Sequence, residues 1–81
     1  SDPSVEQDMV INQGHEDLRR MITYLPDEQR EVLYMRIYSN MSFKDIADVT
    51  NVSINTALGR MRYALINLRK MMVANNVSLT Y

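Results

Sequence analysis

Apolar residues return at helical spacing along most of the chain, and the clearest case is the stretch that follows Ser53. Beyond this residue an apolar or small side chain recurs every three or four positions, as on the buried stripe of an amphipathic helix. The members of the stripe are Ile54, Ala57, Leu58, Met61, Ala64, Leu65, Leu68 and Met72. The sequence therefore predicts a long final helix that Ser53 caps and that ends near Met72.

Three shorter helices are predicted before this one. The first runs from about Glu16 to Tyr24, and the second follows Pro26, where a missing N–H costs nothing, and reaches about Tyr38. Ser42 caps the third helix, which the Ser-Asn pair at 39–40 separates from the second. The positions expected to face the core are Val32, Leu33, Ile37, Ile46, Ala47 and Val49.

Thr-Asn-Val at residues 50–52 forms a tight corner between the third and fourth helices. Asn51 suits it, because asparagine is one of the few non-glycine residues that tolerate the left-handed conformation. A short helix, a corner and a second helix with arginines are typical of a helix-turn-helix, whose second helix enters the DNA major groove. The predicted fold is all-α: a small bundle of about four helices with a C-terminal helix-turn-helix, of the winged-helix-like DNA-binding class but without a wing.

The length of 81 residues allows one domain with a modest core. We assign residues 16–72 to this domain, residues 1–15 to a linker or a leftover cloning segment that is poorly ordered or separately helical, and residues 73–81 to a C-terminal tail. The sequence has no cysteine and one histidine, so it offers neither a disulfide framework nor a Cys/His zinc site. We expect no metal and no cofactor.

The apolar runs are far shorter than the roughly 20 residues of a membrane-spanning helix. We therefore expect no membrane association and a cytoplasmic location. For catalysis, the sequence shows no pairing of nucleophile and base, no phosphate-binding glycine loop and no carboxylate pair with an evident cleft. A non-enzymatic function is predicted.

Charge is distributed unevenly along the chain. Residues 1–31 carry eight acidic and three basic side chains, a net charge of −5, whereas residues 32–81 carry six basic and two acidic ones, a net charge of +4. The basic half contains the proposed recognition helix. This coincidence favours contact with DNA, although the net charge of −1 alone does not.

A polar face lies opposite the apolar stripe of the last helix. Small and hydrogen-bonding residues at its start suit close approach to base edges, and the arginines that flank it suit the phosphate walls of the groove. Gly59 is expected in the middle of this helix, where glycine costs about 1 kcal/mol of stability relative to alanine. It either lets the backbone approach a base or is a tolerated change. The predicted DNA-binding residues are Ser42, Lys44, Ser53, Asn55, Thr56, Gly59, Arg60, Arg62 and Tyr63.

The chain from about Leu25 to Met72 resembles region 4 of bacterial RNA polymerase sigma factors, most closely the extracytoplasmic-function group. The resemblance rests on Leu25-Pro26, Arg30, Val32-Leu33, Arg36, Ser42 to Ala47, Val52-Ser53, Asn55-Thr56, Arg60 and Leu68-Arg69. It implies that the last helix binds the minus-35 promoter element, that the domain contacts the beta-subunit flap of the polymerase, and that it serves transcription initiation. It also implies a region 2 domain upstream, with the acidic lead as the linker.

The chain departs from the family pattern on the recognition helix. The family usually has lysine, serine and a further basic residue where this chain has Leu58, Gly59 and Tyr63, and more basic residues at 65–67. Because cationic side chains supply most non-specific affinity for DNA, we expect weak non-specific binding.

Two alternatives stay open. In the first, the domain is a protein-interaction module that docks on RNA polymerase or is bound by an anti-sigma factor, with Tyr63 and Ile66 as apolar anchors. In the second, it is the helix-turn-helix of another transcriptional regulator of the two-component type. The Leu-Pro-x-x-x-Arg opening of the second helix disfavours that regulator.

Overall fold

Residues 15–76 are described by a computed structural model, and they form four helices with no strand. Helix α1 covers residues 15–23, and it is followed by α2 (Asp27–Ile37), α3 (Phe43–Thr50) and α4 (Ile54–Ala74). The all-α prediction and the order of the helices are confirmed, with helix ends within two residues of the predicted ones. The expectations for residues 1–14 and 77–81 lie outside the described residues.

The corner between α1 and α2 is held by one arginine. Pro26 precedes α2 and offers no side-chain cap, but Asp27 and Glu28 place negative charge in the first turn, where the helix dipole favours it. The guanidinium of Arg30 donates to the carbonyl oxygen of Thr23 at 3.1 Å and to the Asp27 carboxylate at 2.6 Å. The end of α1 is thereby fixed against the start of α2.

The core consists of two clusters that meet on α4. One joins α1, α2 and α4, and its buried members are Met21, Ile22, Leu25, Leu33, Ala64 and Leu68. The other joins α2, α3 and α4 through Val32, Ile46, Ala47 and Ala57. Met61 packs against both clusters. The two fully buried alanines of α4 let the neighbouring helices approach its backbone closely.

Five residues predicted to face the core are instead exposed. Ile37 and Val49 are more than half exposed, and Ile54, Leu58 and Leu65 of α4 are each more than 40% exposed. The predicted stripe was too wide, because the other helices cover only a narrow band of α4 along Ala57, Ala64 and Leu68. Within residues 15–76, no helix combines the length and apolar character that crossing a bilayer requires.

Candidate nucleic-acid interface

Helix α3 ends in a Schellman motif, which forms the corner that leads into α4. Asn51 lies in the left-handed region, with φ 57° and ψ 47°, as predicted. The amide of Val52 donates to the Ala47 carbonyl at 3.0 Å, and that of Asn51 donates to the Asp48 carbonyl at 3.3 Å. Val52 also packs on the buried cluster that contains Ala47, the apolar contact that accompanies this motif. The direction in which α4 leaves α3 is therefore fixed by backbone hydrogen bonds and by packing.

Helix α4 starts with a hydroxyl pair. The Ser53 hydroxyl accepts from the backbone amide of Thr56 at 3.1 Å and donates to the Thr56 hydroxyl oxygen at 2.9 Å, so the predicted cap is confirmed. With Ser53 as donor, the proton of the exposed Thr56 hydroxyl remains available to an outside acceptor. The first turn of α4 contains no acidic residue, so the positive end of its dipole has no counter-charge within that turn.

The outward side of α4 presents four more of the predicted residues of the recognition helix. Asn55 and Arg62 are exposed, and Tyr63 is 60% exposed. A Cβ atom built on Gly59 meets no atom within 4 Å, so no contact inside the described part of the chain requires glycine there. Arg62 forms no ion pair among residues 15–76. These residues have the exposure that the predicted polar face requires, and their contact with DNA stays a prediction.

Ser42 and Lys44 lie at the start of α3 rather than on α4. The Ser42 hydroxyl accepts from the Asp45 amide at 3.1 Å, which confirms the predicted cap, and Lys44 is exposed. Eight residues of helix separate this end of α3 from the corner, a rise of about 12 Å. The two residues thus form a second polar site on the helix that precedes the recognition helix.

Arg60 differs from the sequence expectation. Its side chain is only 22% exposed and turns toward α2, where Nη2 lies 3.6 Å from Oε2 of Glu28. The sequence predicts that Arg60 and Arg62 flank the polar face on either side. The structure shows that Arg60 is mostly covered and contacts the N-terminal end of α2, so the two flanks differ in exposure, and their contact with DNA stays a prediction. Arg62 alone retains the predicted exposed position.

Two features of the surface were not found from the sequence. Asn67 donates from Nδ2 to Oε1 of Gln29 at 2.8 Å, a half-buried contact that joins α4 to α2. An apolar groove of about 590 Å³ also opens between α1, α2 and α4. Its apolar lining consists of Leu18, Ile22, Leu33, Ile37, Leu65, Leu68, Met72 and Val73. The partners of the polar contact are 38 positions apart, and no local pattern pairs them.

Helix α3, the Schellman corner and the capped helix α4 define a helix-turn-helix domain. The family model described as "Sigma-70, region 4" matches residues 15–65, which is more than half of the chain. The chain belongs to the sigma-70 region 4 family. Domains of this family bind DNA in promoter recognition and interact with RNA polymerase in transcription initiation. No curated protein and no solved structure matches the chain.

Proposed function

We propose that α4 recognises the minus-35 promoter element and that the chain is region 4 of a sigma factor of the extracytoplasmic-function type, acting in the cytoplasm. The single observation that carries this proposal is the start of α4. It combines a fixed entry angle, a capped first turn without acidic residues and an exposed polar face. Such a helix end fits the major groove, where base edges must be reached between two rows of phosphates.

The residues divide by chemistry into two roles. Asn55 and Thr56 lie in the first turn and carry the donors and acceptors that base edges require, and Ser53 stands beside them. Arg62 and Lys44 carry exposed positive charge on different helices and suit phosphates on the two sides of the groove. Gly59, between these groups, leaves room for close approach of the backbone.

The test is to select short duplexes from a random pool with the full chain and then to measure binding of the selected and scrambled duplexes by fluorescence anisotropy. We expect a preference for the selected sequence and a loss of affinity with rising salt, because phosphate contacts release counterions. Equal affinity for both duplexes at every salt concentration would rule out sequence recognition by this domain.

The exposed apolar surface favours a second function that is compatible with the first. Ile37 and Leu65 are 56% and 44% exposed and line the groove between α1, α2 and α4. Contiguous apolar surface of this kind marks protein-binding sites. The groove lies beside the C-terminal part of α4, away from the capped first turn. We propose that the beta-subunit flap of RNA polymerase docks here, and that an anti-sigma factor blocks the same surface.

This second proposal is tested by Leu65→Ser in the full chain, measured against an isolated flap domain and against promoter DNA. Flap affinity should fall while DNA affinity stays unchanged, since Leu65 lies outside the polar face. Tyr63→Ala provides the comparison, because Tyr63 is one of the two apolar anchors, with Ile66, that the sequence predicts, and it lies on the outward side of α4. If Tyr63→Ala weakens flap binding and Leu65→Ser does not, the groove is not the docking site.

A further inference from the structure

The DNA-binding role proposed for α4 does not explain the ion pair between Arg60 and Glu28. Arg60 lies next to Gly59 on the recognition helix, and its side chain is 22% exposed. Glu28 lies in the first turn of α2, and its side chain is 71% exposed. One partner is thus largely covered by protein, whereas the other is mostly in water.

The geometry of this pair indicates that Glu28 does not hold the Arg60 side chain in place and that a phosphate can take the position of its carboxylate. The distance of 3.6 Å between Arg60 Nη2 and Glu28 Oε2 is longer than a charge-assisted hydrogen bond, so the carboxylate does not fix the plane of the guanidinium. A pair of this length whose carboxylate is 71% exposed is weak and easily exchanged. A phosphate that approaches Arg60 offers the same charge as the carboxylate and can replace it.

We infer that Glu28 lowers the affinity of the domain for DNA by competing with a phosphate for Arg60. The inference rests on the proposed function, since it requires that α4 enters the groove of a duplex. The competition matters because α3 and α4 carry few cations, namely Lys44, Arg60, Arg62, Arg69 and Lys70. A carboxylate on a neighbouring helix that occupies one of them removes a substantial share of the available charge.

The experiment compares Glu28→Gln with Glu31→Gln in the full chain. Both substitutions remove one negative charge from exposed positions of α2, and no ion pair within residues 15–76 involves Glu31. We expect Glu28→Gln to bind the selected duplex about two- to fivefold more tightly than Glu31→Gln, the range of an exposed ion pair. The slope of log affinity against log salt should also become steeper by up to about 0.9, the value for one additional phosphate.

The Arg60→Ala background isolates the pair. There, Glu28→Gln and Glu31→Gln should have the same effect, because the carboxylate has lost the group for which it competes. Circular dichroism of each variant checks that the helices remain folded.

The possible results distinguish the competition for Arg60 from the promoter-binding proposal on which it rests. If the chain binds duplex and Glu28→Gln is indistinguishable from Glu31→Gln, or binds more weakly, the competition is refuted while promoter binding stands. Weaker binding would mean that Glu28 positions Arg60 for DNA. If no duplex binds to the unmodified chain, the promoter-binding proposal and this inference fail together.

Discussion

Arg60 and Arg62 stand two residues apart on the same helix, and the fold gives them different surroundings. Arg60 turns toward α2 and lies 3.6 Å from Glu28, whereas Arg62 is exposed and forms no ion pair in the described part of the chain. From the sequence, both arginines are expected to flank the same polar face. The comparison teaches that the charge available to DNA is set by the neighbouring helix as well as by the recognition helix.

The same division extends along α4. On the side toward α2, Asn67 donates to Gln29 at 2.8 Å, and Arg60 contacts Glu28. On the outward side, Asn55 and Tyr63 are exposed. We therefore expect substitutions on the outward side to have the larger effect on DNA binding. On the side toward α2, we expect Asn67 to contribute to stability and Arg60 to make a smaller contribution to DNA binding.

The largest effect is expected for Asn55→Ala on the outward side. A lost amide contact to a base edge costs about 1–3 kcal/mol in binding of the cognate sequence. Affinity for the selected duplex should fall by this amount, and affinity for a scrambled duplex should hardly change. Asn75→Ala, at the far end of α4, serves as the control. An equal loss on both duplexes would place Asn55 on the DNA backbone instead.

The two arginines provide the next prediction. Arg62→Ala should cost about 1.5 kcal/mol of DNA-binding free energy, the low end for a hydrogen bond to a charged group. Arg60→Ala should cost less, because Glu28 already offsets part of its charge. Anisotropy titrations of both variants with one duplex measure the difference. A larger loss at Arg60 would show that the exposed arginine is not the main phosphate contact.

Much of the domain could be predicted because its signals are local. The caps at Ser42 and Ser53 and the left-handed Asn51 each depend on residues within a few positions, and the structure confirms all three. The exposure of Leu58 and Leu65 could not be predicted, because it depends on how much of α4 the short α2 and α3 cover. The pairing of Arg60 with Glu28 likewise joins helices that are distant in sequence. The roles of the DNA-binding residues stay predictions.

Gly59→Ala gives a smaller and more informative effect. Alanine in a helix interior is favoured over glycine by about 0.5–1 kcal/mol, and the site has space for the added methyl group. The free energy of unfolding from urea titration should therefore rise while affinity for the selected duplex falls. If stability rises and DNA binding is unchanged, the glycine is a tolerated change without a role in backbone approach.

The smallest effect on DNA binding is expected for Asn67→Ala. This change removes the hydrogen bond to Gln29 and should lower the free energy of unfolding by about 0.5–1.5 kcal/mol. DNA affinity measured well below the unfolding midpoint should stay within error of the unmodified chain. A clear loss of DNA affinity in folded protein would show that the contact between Asn67 and Gln29 also serves DNA binding.

The most direct test of the central claim is an NMR titration of the ¹⁵N-labelled chain with the selected duplex. The account predicts that the largest amide shift changes fall at the start of α4 and along its outward side, at Ser53, Asn55, Thr56, Gly59 and Arg62, with α1 nearly unaffected. Shift changes concentrated on the groove between α1, α2 and α4, with the start of α4 silent, would contradict it.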